Sequence, residues 1–281
     1  LPSNYSASAT PDPDLVAENL GVVSINSVYD WDGVDITPNG IESMADPMLT
    51  PPLNRPVQFI RIEKAVSIPD DDVLDFDNTA FGFSGSQLMR EIIGYVPVEP
   101  DGSASFKVPA DIGFALSLTD HLGRRLGARH QNWLQLRAGE TLSCNGCHER
   151  NSGITHGRLD ATPQKVYSGA NTTGLPFPNT LPELFADMGE TMAGVYSRIN
   201  GPRSPDVSLI YVDEWSDPAL VNLAESYTRQ YQDLETQIPT NNACVEEWEP
   251  LCRIVINYEE NIQPLWDLDR QTIDADGVTV L

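Results

Sequence analysis

The sequence predicts a mainly β fold, a sandwich-like scaffold with a few helices and long loops. Short apolar segments recur at regular spacing, several alternate with period two, and turn residues separate them. A length of 281 residues suits one large or two modest domains, each with its own core. An apolar content of 40% with eight Phe, nine Tyr and five Trp is that of a globular chain.

Residues 1–19 are rich in Ser, Ala, Pro and Asp and read as a loose leader or linker. Leu1-Pro2-Ser3-Asn4-Tyr5 reads as a processed or cut start. The β pattern begins at Gly21 with a strand over 22–29, and residues 38–55, holding four prolines, form a long irregular loop. Val57 to Ile62 alternates as a half-buried strand does. A strand over 92–98, a turn at Glu99-Pro100-Asp101-Gly102 and a returning strand over 103–108 follow. Further strands are predicted over 114–118 and 133–137, with a polar turn at Asp120-His121-Leu122-Gly123 between them. Residues 20–140 thus form a β-rich domain. Residues 141–281 form a motif-bearing loop and a mixed helical and irregular part packed on it, either separate from 20–140 or one domain with it. In that part, residues 149–180 read as a wrapping loop. Pro182, with Leu184, Phe185, Met188 and Met192 on one face, predicts a helix over 182–198. Pro218 opens another through about Tyr231, and residues 251–256 read as a late strand.

Cys144-Asn145-Gly146-Cys147-His148 carries the chemistry. C-x-x-C-H is the attachment signature of a c-type haem: the thiols become thioethers on the vinyl groups and the imidazole reaches the iron. Two free spacer residues let both sulfurs meet one porphyrin edge. A zinc knuckle would call for a second Cys or His pair at matched spacing, and a redox dithiol for a βαβ context; neither pattern is visible. Of the four Cys, the motif takes two, and Cys244 and Cys252 frame a nine-residue stretch as a disulfide would. Both features belong outside the cytoplasm, in the periplasm or the extracellular space.

The 41 acidic and 17 basic residues give a net charge of −24. Nucleic acid and anionic membranes are poor partners for such a surface. A salty medium or a redox partner with a basic docking surface accounts for it. No stretch of 18 apolar residues is present, so no membrane span is expected.

The run from Gly94-Tyr95-Val96-Pro97-Val98-Glu99-Pro100-Asp101-Gly102 through Phe106-Lys107-Val108-Pro109-Ala110, Asn132-Trp133 and Gly139-Glu140 to the C-x-x-C-H motif resembles the haem-bearing middle domain of the hydrazine synthase alpha subunit. The resemblance covers roughly 20–160 and implies a β-rich domain with one covalent haem. In longer relatives a segment like Ile262-Gln263-Pro264-Leu265-Trp266 leads to a further C-x-x-C-H; this chain stops before one, as a fragment would. In that family a Tyr four residues after the motif His serves the iron. Here that position is Ser152, so the unusual ligation and hydrazine chemistry are not carried over, and His148 is expected to be the proximal ligand.

The other face of the iron decides between electron transfer and catalysis. His156 and His130 are the distal candidates, with a Met (Met44, Met48, Met89, Met188 or Met192) or an open face as alternatives; His121 reads as a solvated turn residue. Arg158 and Arg129 are candidates to pair with the propionates. Asp30, Asp32 and Asp35 surround Gly33 in a weak Ca²⁺-loop pattern. The expected function is a monohaem c-type cytochrome moving one electron at a time. A haem enzyme with an open iron face, peroxidase-like or acting on nitrogen compounds, is the alternative.

Overall fold

The computed structural model describes residues 10–66, 90–127, 130, 132–148, 165–230, 263–266, 272–273 and 279–280. Two units divide the chain, Leu1–Tyr231 and Gln232–Leu281. The strand that begins at residue 141 belongs to a sheet of the first unit.

Helix α1 (Pro13–Glu18) occupies part of the expected leader. Asp12 caps it, its Oδ1 accepting from the Asp14 and Leu15 amides at 2.9 and 3.2 Å, and Pro13 sits in the first turn where no N–H is needed. Leu15 is buried and Asn19 ends the helix in the left-handed conformation. A cap, a proline and one apolar anchor thus fold a segment whose composition reads as loose.

Next come β1 (Leu20–Ile25), the hairpin of β2 (Asp30–Trp31) and β3 (Val34–Asp35), α2 (Ile41–Ala45) and a 3-10 turn (Pro52–Asn54). The strands β4 (Phe59–Ala65), β5 (Arg90–Pro97), β6 (Ala104–Pro109), β7 (Phe114–Thr119), β8 (Arg125–Leu126) and β9 (Thr141–Cys144) follow. They form two sheets. One has the order β6-β1-β9, with β1 antiparallel to β6 and parallel to β9. The other, β5-β4-β7-β8, is antiparallel throughout. Both feed one core: Val23, Ile25, Phe106 and Val108 from the first sheet meet Ile60, Ile62, Val96 and Phe114 from the second. The mainly β expectation holds.

The turn at 99–103 does not make a hairpin. It carries the chain from β5 in one sheet to β6 in the other, closed by Glu99 N–H to Ser103 O (2.9 Å) and Gly102 N–H to Glu99 O (2.8 Å). The Val28 amide, donating to Gly102 O at 2.7 Å, and the Ser27 hydroxyl, donating to Asp101 O at 2.8 Å, hold this corner. Residues 133–137 are irregular, with a single bridge from Leu134 to Phe114 in place of the expected strand.

Beyond residue 165 lie β10 (Leu175–Pro176), β11 (Phe185–Ala186), α3 (Met192–Asn200), β12 (Leu209–Tyr211) and β13 (Tyr227–Arg229). The helix expected over 182–198 begins only at Met192. Phe185 and Ala186 are drawn into pairing with β10, and the Glu190 amide closes a turn on Asp187 O at 2.9 Å. The helix expected from Pro218 is not formed over 218–230: one turn closes on Asp217, the Ala224 amide is taken by Asp213 Oδ2 (3.0 Å), and Tyr227 stacks on Tyr211 as β13 pairs with β12. A second core gathers Phe177, Ala186, Met192, Val195 and Trp215. In the second unit, α4 (Gln263–Trp266) precedes an antiparallel pair, β14 (Thr272–Ile273) and β15 (Thr279–Val280). The strand expected at 251–256 lies outside the described residues.

The sheet-switching corner also starts α3. Asp101 Oδ2 accepts from the Met192 amide and Ser103 Oγ from the Ala193 amide, both at 2.8 Å, while Thr191 Oγ1 accepts from Gly194 N–H. Glu99 receives Arg203 Nε and Trp215 Nε1, each at 2.6 Å. Burial pushes the Asp101 carboxyl up to about 6, against the bonds from the Met192 amide and from Ser103. The folded chain then holds a proton there that the unfolded chain releases at lower pH. Its stabilising share is full below about pH 4 and is lost as pH rises through about 6, of the order of 3 kcal/mol in all. Carboxyl carbon-13 titration should find Asp101 ionising near 6, and Asp101→Asn should remove that part of the pH dependence in chemical denaturation.

Candidate functional site

Residues 26–30, which continue β1 beyond the sheet, hold the C-x-x-C-H motif by main-chain bonds. Asn26 N–H donates to Cys144 O at 2.8 Å and Ser27 N–H to Asn145 O at 3.2 Å. Cys147 N–H donates to Asp30 O at 2.8 Å, and Asp32 N–H to Cys147 O at 2.9 Å. With β9, which ends on Cys144, parallel to β1, the motif lies against the scaffold from Cys144 to Cys147.

Its spacer is not free. Asn145 is buried, and a Cβ on Gly146 would collide with the Asp30 carbonyl oxygen and stand 2.7 Å from Asp30 Cβ and 2.8 Å from Ser27 O. These are mostly backbone atoms that cannot swing aside. Glycine is needed here for close approach of two chains.

Cys144 and Cys147 are in no disulfide, are half-buried and pack against the first core. Burial pushes the Cys144 thiol up to about 11 and the Cys147 thiol up to about 12, the latter raised further by Cys144 and Asp30. Both are therefore neutral thiols at pH 7. A thioredoxin-type dithiol needs the opposite shift.

His148 is exposed. Its ring centre lies 6.3 Å from that of His130, with the ring planes 85° apart. Residues 132–137 lead back past β7, where the Leu134 and Phe114 amides exchange bonds at 2.8 and 2.9 Å, and this places His130 near His148. Burial holds the His130 imidazole below its usual value; a bond to the Asn132 main chain opposes this, and the charges of His148 and Arg90 add to it. His130 Nδ1 is buried and has no hydrogen-bond partner among the described residues. Arg90 stacks on Trp133, 4.3 Å from the ring centre, and pairs with Glu63 at 3.5 Å. The contact of Arg90 with Trp133 is not visible in the sequence, because the two residues are far apart along the chain.

Arg129, Arg158, His156, Met89, Cys244 and Cys252 lie outside the described residues. Met44 and Met192 are core residues, and Met48 and Met188 are exposed. The three carboxylates of the calcium-loop expectation lie in and beside the β2–β3 hairpin. Asp32 and Gly33 both take positive φ, 51° and 77°, as the two-residue loop of the β2–β3 hairpin. Asp30 accepts from the Gly33 and Val166 amides, and Asp35 from Thr37 and the Ile41 amide. Among the described residues no three His, Cys, Asp or Glu side chains are arranged to hold a metal ion.

Residues 58–149 match the family model described as the hydrazine synthase alpha subunit middle domain. The match begins at β4, later than the start near residue 20 expected from the sequence, and ends one residue past the motif. The solved hydrazine synthase of Kuenenia stuttgartiensis is similar at 23% identity over 46% of this chain, with a TM-score of 0.34. This chain spans 17% of the length of that one. No curated protein matches it.

Gly146→Ala should lower the unfolding free energy by about 1–3 kcal/mol through overpacking. Gly113→Ala, where the added Cβ meets Trp133 at an ordinary 3.5 Å, should cost much less. Urea denaturation of both variants checks the contrast.

Proposed function

We propose that this chain is a c-type haem domain that carries single electrons outside the cytoplasm, with His148 and His130 on the two faces of one iron. The observation that carries the reading is the pair of imidazoles 6.3 Å apart beside two uncombined thiols. Imidazoles held at about 2 Å from one metal on opposite sides have ring centres about 6 Å apart. The spacing of the two imidazoles is compatible with the group, and they are the residues that would hold its iron. Haem supplies an iron that cycles between two oxidation states without bond making.

The chain's own residues do the rest. The Cys144 and Cys147 thiols would hold the group covalently through thioethers, each S–H adding across one vinyl with nothing released. The spacing and the immobile spacer fix both sulfurs against one edge. Burial favours the neutral form of His130, the form that binds metal. The Arg90–Trp133 stack adjoins it. Leu126, Leu134 and Leu142 pack on the first core, as do the two cysteines.

The net charge of −24 supports a basic electron-exchange partner over nucleic acid or anionic lipid. Among the described residues no helix is long and apolar enough to cross a membrane. Haem attachment by this motif and the Cys244/Cys252 pair support a periplasmic or extracellular setting.

Two measurements test this. The pyridine-treated holoprotein should show the c-type band at one haem per chain; its absence would overturn the reading. The ferrous wild type should bind CO slowly or not at all, while His130→Ala should bind it rapidly. Rapid binding by the wild type would transfer the reading to a haem enzyme with an open face.

A further inference from the structure

Asp30 was a calcium candidate in the sequence, and the structure gives it another place. It is fully buried. Its main chain exchanges a bond with Cys147 N–H at 2.8 Å, and its Cβ lies beside Gly146. Oδ1 accepts from Gly33 N–H at 2.9 Å and Oδ2 from Val166 N–H at 3.0 Å. Both oxygens of the side chain are therefore held by main-chain amides. The carboxyl group is thus fixed in the interior beside the second tethering cysteine, whose amide donates to the Asp30 carbonyl.

We infer that Asp30 is a positioning residue with an electrostatic role: its buried carboxylate holds the reduction potential of the attached haem down. The inference rests on the c-type haem reading. Ferric haem carries one more positive charge than ferrous haem. A fixed negative charge in a poorly screened interior stabilises the ferric form more, and electron uptake becomes harder. The same carboxylate bonds main-chain amides on both sides of the motif, at Gly33 and Val166, so it cannot move away when the charge changes. A scaffold role alone would affect stability and leave the potential in place.

The test is a spectroelectrochemical titration of the full-chain holoprotein. The couple is ferric to ferrous haem, one electron from the electrode and no bond made or broken. Asp30→Asn should shift the midpoint to more positive potential, and Asp30→Glu, which keeps the charge, should stay near the wild type. Asp46→Asn removes another buried carboxylate, one bonded to Asn179 and the Met48 amide, and should leave the potential unchanged. Should Asp30→Asn fail to accumulate, the smaller, uncharged Asp30→Ser reads the same shift. An unchanged or more negative midpoint in the uncharged variants overturns the role of Asp30 and leaves the haem reading standing. A wild type without haem overturns both.

Discussion

The hydrogen bonds of residues 26–30 are the constraint on which the rest of the first unit depends. On one side this segment bonds the C-x-x-C-H motif at Cys144, Asn145 and Cys147. On the other it bonds the corner at Asp101 and Gly102, where the chain passes from one sheet to the other and α3 is capped. Asn26 Nδ2 donates to Tyr167 O at 2.8 Å, and Asp30 holds Val166. One short stretch thus joins the sheets, the cofactor motif and the return of the chain beyond it. Interior placement makes each of these bonds costly to leave unmade.

That arrangement explains why a loop motif can be precise. The motif is not a flexible excursion from a β scaffold. It follows directly from β9, the edge strand laid parallel on β1, and is bridged again at Cys147 to Trp31, with a glycine where two backbones touch. The thiols, kept neutral by burial, are not nucleophiles in their own right.

Much of this was legible in the sequence. The C-x-x-C-H spacing itself stands plainly in the sequence, and the proposed haem attachment rests on it. The main strands were legible too, because period-two alternation reports a half-buried sheet; β4 and β7 appear within a few residues of where the pattern puts them. The partner of each strand was not. A Pro-Asp-Gly turn looks the same whether it joins paired strands or carries the chain between sheets, and only the inward-facing Glu99 and Asp101 decide it. Leu184, Phe185 and Met188 have helical spacing, but pairing with β10 wins at Phe185. Asp30, Asp32 and Asp35 share a spacing with calcium loops, yet an Asp-Gly hairpin uses the same letters. His130 could be named but not placed, since its approach to His148 depends on a single bridge to β7.

The perpendicular pair of imidazoles is the central claim, and electron paramagnetic resonance of the frozen ferric holoprotein tests it most directly. Two histidines with ring planes near 85° apart predict a low-spin, strongly anisotropic signal that Ala at position 130 converts to high spin. A high-spin signal from the wild type, or a low-spin signal unchanged by His130→Ala, would contradict it.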